Sequence, residues 1–439
     1  MWDTVFDQAT QQRRVPATPP EPTAPGDGRV SLMAAFGARA RRFALVAGPG
    51  IVVMLADTDA GSIITAAQSG AQWGYRLLLL QLVLVPILYV VQELTVRLGI
   101  VSGKGHGELI RQHFGRGWAW VSVGTLVLAC VGALLSELSG LAGVGLLFGV
   151  PAWLTMTIVV GGLTLMAYTG SYLSVERIAI AIGAFELVFL VVAWQAHPDA
   201  AAVVAGLASV PWHDTQYLYL VAANIGAVVM PWMVFYQQSA VVEKQLTVAE
   251  LPAARWDTAI GAGVTQVIMA SVLVATAATL GGGRNAALDT VQQIAAAITP
   301  YLGEHTGRVL FGLGMTGSAL VATIVVTLTA ARTLGEVLGV RHSLAYAPRE
   351  APWFYGIYTV ALAAGALIVT SGVNLVSLSV AVQVMNALLL PIVLGFLYLL
   401  ARRLPPPHRL AGRYAVVVAV TIAVTAGFGV YAALVGVAG

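Results

Sequence analysis

The chain has 439 residues, of which 58% are hydrophobic and only 10% charged, with a formal net charge of +3. A soluble domain carries roughly 25% charged residues, so a fully water-facing surface is excluded and the surplus apolar surface must meet lipid. The small, scattered positive charge gives no footprint for nucleic acid, and the single cysteine, Cys130, excludes an intrachain disulfide and reads as a small core filler.

Residues 1–40 differ from the rest, with Pro16, Pro19, Pro20, Pro22 and Pro25 among Gln, Thr and Arg. Such a segment cannot bury a core and reads as a disordered cytoplasmic arm ahead of a transmembrane domain at 41–439. It lacks the apolar centre of a signal peptide. A spanning helix needs roughly 20 apolar residues. Candidate spans fall at 43–70, 73–96, 117–147, 151–171, 177–196, 215–241, 257–281, 308–333, 354–372, 376–401 and 412–437, about eleven in all. Alternate loops should then be basic. One set holds Arg39, Arg41 and Arg42; Arg97, Lys104, Arg111 and Arg116; Arg177; Lys244 and Arg255; Arg332, Arg341 and Arg349; and Arg402, Arg403, Arg409 and Arg413. The other set holds only Arg76, Arg284 and Arg308. This alternation predicts a cytoplasmic N-terminus and, with an odd number of spans, an external C-terminus.

The first span contains Gly48-Pro49-Gly50 and then Ala56-Asp57-Thr58-Asp59-Ala60-Gly61-Ser62. Each carboxylate at mid-bilayer costs about 2.5–3.5 kcal/mol on insertion scales, so the pair must face a cavity or a cation. Gly61 and the short polar side chains disfavour continuous helix. Residues 56–62 are therefore expected to be unwound between two half-helices. The sixth span contains Asn224-Ile225-Gly226-Ala227-Val228-Val229-Met230-Pro231-Trp232. Pro231 has no N–H and blocks the preceding turn, which frees carbonyls near Ala227. Breaks at matching positions of two halves mark the site of a secondary transporter. The breaks fall in spans one and six, five helices apart, an odd number per repeat, so the second copy runs inverted. The repeats are placed at about 43–196 and 215–401, with an extra helix at 412–437.

These motifs resemble the natural resistance-associated macrophage protein (NRAMP) family of divalent metal transporters. The likeness runs from about residue 46 to 400. The family's Asp-Pro-Gly-Asn aligns with Asp59-Ala60-Gly61-Ser62, and its Met-Pro-His with Met230-Pro231-Trp232 after Asn224-Ile225-Gly226-Ala227. Arg97-Leu98-Gly99-Ile100-Val101-Ser102-Gly103 and Leu146-Leu147-Phe148-Gly149-Val150-Pro151 are also family-like. The resemblance implies an all-α membrane protein with a LeuT-like five-plus-five inverted repeat. It implies a transported ion held by Asp59, Met230 and the carbonyls of Ala56 and Ala227, and no resident cofactor.

The departures are informative. The family's Asn is Ser62, the proline beside the Asp is Ala60, and the His of its proton coupling is Trp232. Of the third-helix acidic pair, Glu137 matches one member and Leu134 replaces the other. The tenth-helix glutamine falls near Leu378, with Gln383 one turn away. With Asp57-Thr58-Asp59 and Pro231-Trp232-Met233, this is similar to the NRAMP-related magnesium transporter branch, which implies an ion bound with water retained and no coupled proton flow. Mg²⁺ wants oxygen ligands and dehydrates reluctantly, which suits Ser62 and a second carboxylate. A thioether at Met230 favours softer ions, so a site open to both Mg²⁺ and Mn²⁺ is expected in a prokaryotic plasma or inner membrane.

Each residue has a plainer reading. Asp59 can cap the second half-helix, and Asp57 either binds hydrated ion or caps the break. Ser62 can be a packing residue, Met230 cavity wall, and Trp232 filler for the vacated His volume. Glu137 and Glu186 are functional candidates or partners of neighbours such as Ser136 or Gln383. Glu93 and Arg97, spaced i,i+4, read as a surface ion pair. Gln237, Gln238, Glu243 and Lys244 either line an exit path or form a polar helix end, and His106 reads as solvated. No His-Glu-x-x-His, Walker or Gly-x-Ser-x-Gly motif points to an enzyme. The alternatives are a proton-coupled transition-metal carrier, a LeuT-fold amino-acid or organic-solute carrier, a passive channel and a non-transporting sensor.

Overall fold

The computed structural model describes residues 48–170, 172–281, 287–298, 300, 302–341, 343–344 and 346–438. The expected N-terminal arm at 1–40, the start of the first span, and Arg39, Arg41, Arg42 and Arg284 lie outside the described residues. The described residues are helical throughout, apart from turns and short connections.

The first span is two helices, α1 (Pro49–Asp57) and α2 (Ala60–Trp73). A 3-10 turn at Gly74–Leu77 leads into α3 (Leu78–Ser102). A short helix, α4 (His106–Phe114), precedes α5 (Arg116–Leu147) and α6 (Ala152–Thr169). The fifth span is α7 (Tyr172–Gly183), a 3-10 turn at Ala184–Leu187 and α8 (Val188–Gln195); α9 (Ala200–Ala208) follows after a 106° bend. The sixth span is broken into α10 (Thr215–Val228) and α11 (Pro231–Glu243). Then come α12 (Leu251–Leu280), α13 (Val291–Ile298), α14 (Glu304–Leu338), α15 (Pro352–Val369), α16 (Leu375–Ala401) and α17 (Gly412–Ala438).

Among the described residues, nine helical runs are long and apolar enough to cross a membrane, or ten if the bent pair at 180–208 is one span. The difference from eleven falls on particular segments. Residues Ala60–Ser102 run as one continuous helical stretch through the 3-10 turn, although the sequence divides them between two spans. The half-helix α1 has only 9 residues, too few to span alone.

Burial separates a centre from a lipid-facing shell. The broken helices α1, α2, α10 and α11 are buried almost throughout, whereas α6 and α17 expose one apolar residue after another. The centre packs closely: α2 lies against α12, α10 against α16, α11 against α3, and α5 against α14. Gly226 shows why the sixth span needs a small residue. A Cβ there would collide with the Gln383 carbonyl oxygen of α16, which is main chain and cannot step aside.

Candidate functional site

Both breaks are two residues long. The first is Thr58–Asp59, so the unwinding expected over 56–62 is corrected to these two positions; Ala56 and Asp57 remain helical, and Ala60 already starts α2. The cause is a cap. Asp59 is extended (φ −72°, ψ 172°) and its Oδ1 accepts from the Ser62 N–H at 2.6 Å. That satisfies an orphan donor of the new helix and lets it begin at once. The capping reading of Asp59 is thus present in the structure, but it uses one oxygen only; Oδ2 has no hydrogen-bond partner. Asp57 caps nothing. It ends α1, is 1% exposed, and neither of its oxygens has a partner.

The second break is Val229–Met230. Met230 is extended and gives no side-chain cap, and Pro231 takes the first helical position, where its missing N–H costs nothing.

The carbonyls of the two breaks are freed by different means. A helix would send the Ala60 N–H back to the Ala56 carbonyl; here it donates to Glu137 Oε2 at 2.9 Å. The group four residues beyond Ala227 is Pro231, which has no N–H to give. The Ala227 carbonyl instead accepts from the Ser62 hydroxyl at 3.1 Å. That bond joins the two breaks directly.

The other predicted residues assemble around this point. Gly61 packs closely: a Cβ there would displace the side-chain ends of Gln383 and Ser136. Glu137 comes from α5 and interacts with Asp59, as does Gln383 from α16. Gln383 is also bonded through Oε1 to Asn386 Nδ2 at 2.9 Å. Glu186, in the 3-10 turn at Ala184–Leu187, lies within electrostatic reach of Asp57 and Asp59. Met230 and Trp232 are fully buried, and the Trp232 indole N–H has no partner. Among the described residues no three His, Cys, Asp or Glu side chains converge as a ready metal cluster. An ion held here must also draw on main-chain and hydroxyl oxygens.

Some readings are corrected. Glu93 and Arg97 are not a surface pair: they are 2% and 7% exposed, and Arg255 of α12 joins them through its Nε at 2.7 Å from Glu93 Oε1. His106 is not solvated. It is 1% exposed, its Nδ1 lies 2.9 Å from Gln238 Oε1, and its ring meets Phe235 edge-on. Burial pushes its pKa down from 6.5 to about 4. The polar end of the sixth span is tied down by its neighbours, and Glu243 also borders a cavity of about 220 Å³. Gln237 donates to Thr258 at 3.1 Å, Gln238 donates to the Lys104 carbonyl at 2.9 Å, and Glu243 pairs with Arg332 and Ser343.

Two groups, Asp257 and Thr265, escaped the sequence reading, and Asn224 was read only as part of a motif. Asp257 of α12 accepts from the N–H groups of Gly50 (2.8 Å) and Gly48 (3.4 Å), capping α1 from another helix. A carboxylate beside an apolar span opposite a Gly-Pro-Gly was the available signal. Asn224 links Ser69 of α2 (2.8 Å) to Gln81 of α3 (2.6 Å). Thr265 donates to the Met54 carbonyl at 2.5 Å, near the end of α1. Nothing in sequence singles out one threonine in an apolar helix.

Two interrupted helices crossing at the centre of an apolar helical body define a secondary-transporter architecture, the LeuT-like fold. The chain belongs to the natural resistance-associated macrophage protein-like (Nramp) family, whose sequence profile matches residues 50–435. The divalent metal cation transporter MntH of Deinococcus radiodurans is 30% identical over 325 residues, which is 71% of this chain and 73% of that protein. The protein of the same name from Agrobacterium fabrum is 28% identical over 335 residues, 74% and 71% of the two chains. Among solved structures, the Eremococcus coleocola manganese transporter superposes with a TM-score of 0.71 at 20% identity, over 95% of this chain and 90% of that one. Mhp1, a nucleobase-cation-symport-1 family transporter, gives 0.56 at 16% identity, over 88% and 90%. These structural likenesses establish the fold alone.

Proposed function

We propose that this protein carries divalent metal cations across the membrane by alternating access, accepting both Mg²⁺ and Mn²⁺ and moving no proton with them. The observation that carries this reading is the pair of buried carboxylates at the first break, Asp57 and Asp59, with three of their four oxygens unpartnered. Charge of that kind at mid-bilayer is expensive unless a cation answers it. Membership of the Nramp family and the names of the MntH relatives supply the ion class. The ion is held by Asp59 Oδ2, Ser62 and the carbonyls of Ala56 and Ala227. Asp57 adds the second charge and Met230 adds affinity for softer ions. A hard, hydrated ion suits the oxygen donors. Trp232, which cannot carry a proton, stands where the resemblance places a proton-handling His.

The loop charges orient the chain with a cytoplasmic N-terminus and external C-terminus in a prokaryotic plasma or inner membrane. The repeats run at about 43–196 and 215–401, with the last helix added. A dication moving inward gains about 4.6 kcal/mol per 100 mV, twice the single-charge value, so membrane potential alone supports accumulation.

Glu137, bonded to Ala60 and interacting with Asp59, favours a second reading, a proton-coupled Mn²⁺ or Fe²⁺ carrier. Uptake of Mg²⁺ and Mn²⁺ into proteoliposomes containing a pH dye separates them. The proposal expects both ions to enter without acidification. Entry of Mn²⁺ alone with a falling internal pH supports the coupled carrier, and failure of both ions to enter refutes the metal reading.

A further inference from the structure

Glu186 is the buried carboxylate that this account leaves unused. It is 0% exposed, and neither of its oxygens has a hydrogen-bond partner; the same holds for both oxygens of Asp57. Glu186 lies within electrostatic reach of Thr58, Asp57 and Asp59. The Thr58 hydroxyl lies 3.5 Å from that of Thr265, and both reach the Met54 carbonyl, at 3.4 and 2.5 Å. The charged groups acting most strongly on Asp57 and Glu186 are other carboxylates.

We propose that Asp57, Glu186, Thr58 and Thr265 form a second cation site, beside the Asp59 position, that takes a hard dication such as Mg²⁺. The donors come from three separate elements: the end of α1, the 3-10 turn at Ala184–Leu187, and α12. Every donor is oxygen, which selects hard cations over thiophilic ones. Asp57 borders both positions, and Glu186 supplies the further negative charge that a second dication needs. The C-terminal end of α1, with its unsatisfied carbonyls, adds further negative potential. The Asp59 position differs because Met230 borders it. The two positions divide the ion preference: one hard and all-oxygen, one tolerant of softer ions. The inference rests on the metal reading above for the source of its ion.

The test counts ions bound to the full-length protein in detergent. Mn²⁺ is titrated in, and the loss of the free-ion paramagnetic resonance signal gives the number bound per chain, with Mg²⁺ then added as competitor. The wild type is expected to bind two Mn²⁺, one of them displaced first by Mg²⁺. Glu186→Gln, which preserves shape, is expected to bind one, and to lose the readily displaced ion. Glu186→Asp should keep two, the second weaker. Asp59→Ala should also keep one, the one Mg²⁺ displaces readily. A single ion on the wild type, or two undiminished on Glu186→Gln, overturns the second site while leaving the Asp59 reading intact. No bound ion on folded wild type overturns both.

Discussion

Among the described residues, Asp257 at the start of α1 aside, buried charged side chains fall in two regions, and only one set is ion-paired. Away from the breaks, Glu93 holds Arg97 and Arg255, and Glu243 holds Arg332. Around the breaks, Asp57, Asp59, Glu137 and Glu186 are buried with no cationic side chain bonded to them among the described residues. Burial alone therefore does not tell what a charge is for. A buried ion pair already satisfied inside the protein locks helices together. A buried carboxylate left with an unused oxygen is poised for a cation from outside.

The sharpest way to break the comparison is Asp59→Ala. Uptake of Mn²⁺ into proteoliposomes should fall to the background of empty vesicles while the protein stays folded, since loss of the cap on Ser62 costs only about 1 kcal/mol. Glu93→Ala should do the reverse. It strands the buried Arg97 guanidinium, while the part-exposed Arg255 can turn to water; breaking a buried pair costs about 3–5 kcal/mol, read as a lower melting temperature. Transport per folded molecule should persist.

His106 probes the paired region through pH. Its folded pKa, about 4, lies below the unfolded 6.5, so only the unfolded chain takes up a proton between those values. Stability should fall as pH drops through that window, by roughly 3 kcal/mol in total, and level off below it. Comparing melting temperatures of wild type and His106→Asn isolates this contribution, since the variant lacks it. Smallest is Glu137→Gln. It weakens the grip on the Ala60 N–H and on Asp59, and loss of such a support typically costs about tenfold in metal affinity. A Mn²⁺ titration measures it, and an unchanged affinity would show that Glu137 does not position the site.

The two regions were also unequally legible. Asp57, Asp59 and Pro231 announced themselves because a charge or an imino acid in an apolar run has few innocent explanations. The LeuT-like fold followed from the matching breaks and from the family motifs. Register was harder. The unwinding was overdrawn because the Asp59 cap on Ser62, which restarts the helix within one residue, depends on a rotamer that composition does not specify. The paired region was half legible: Glu93 and Arg97 pair as their spacing suggests, but they are buried. Glu93 and Arg97 fit a surface i,i+4 pair perfectly well in one dimension, and only the arrival of Arg255 from α12, 158 positions beyond Arg97, shows that the pair is interior. The same holds for His106, covered by Gln238 and Phe235 from a helix far away in sequence.

The most direct test sets one conservative variant from each region side by side. Asp59→Asn and Glu93→Gln each remove one negative charge and keep the shape. Melting temperature and Mn²⁺ uptake per folded molecule are measured for both in the same lipid. The account predicts a crossed result: Asp59→Asn at least as stable as wild type but inactive, Glu93→Gln less stable but still transporting. An Asp59→Asn protein that transports normally, or that loses stability as Glu93→Gln does, would contradict the claim that the unpaired carboxylate is there for the ion.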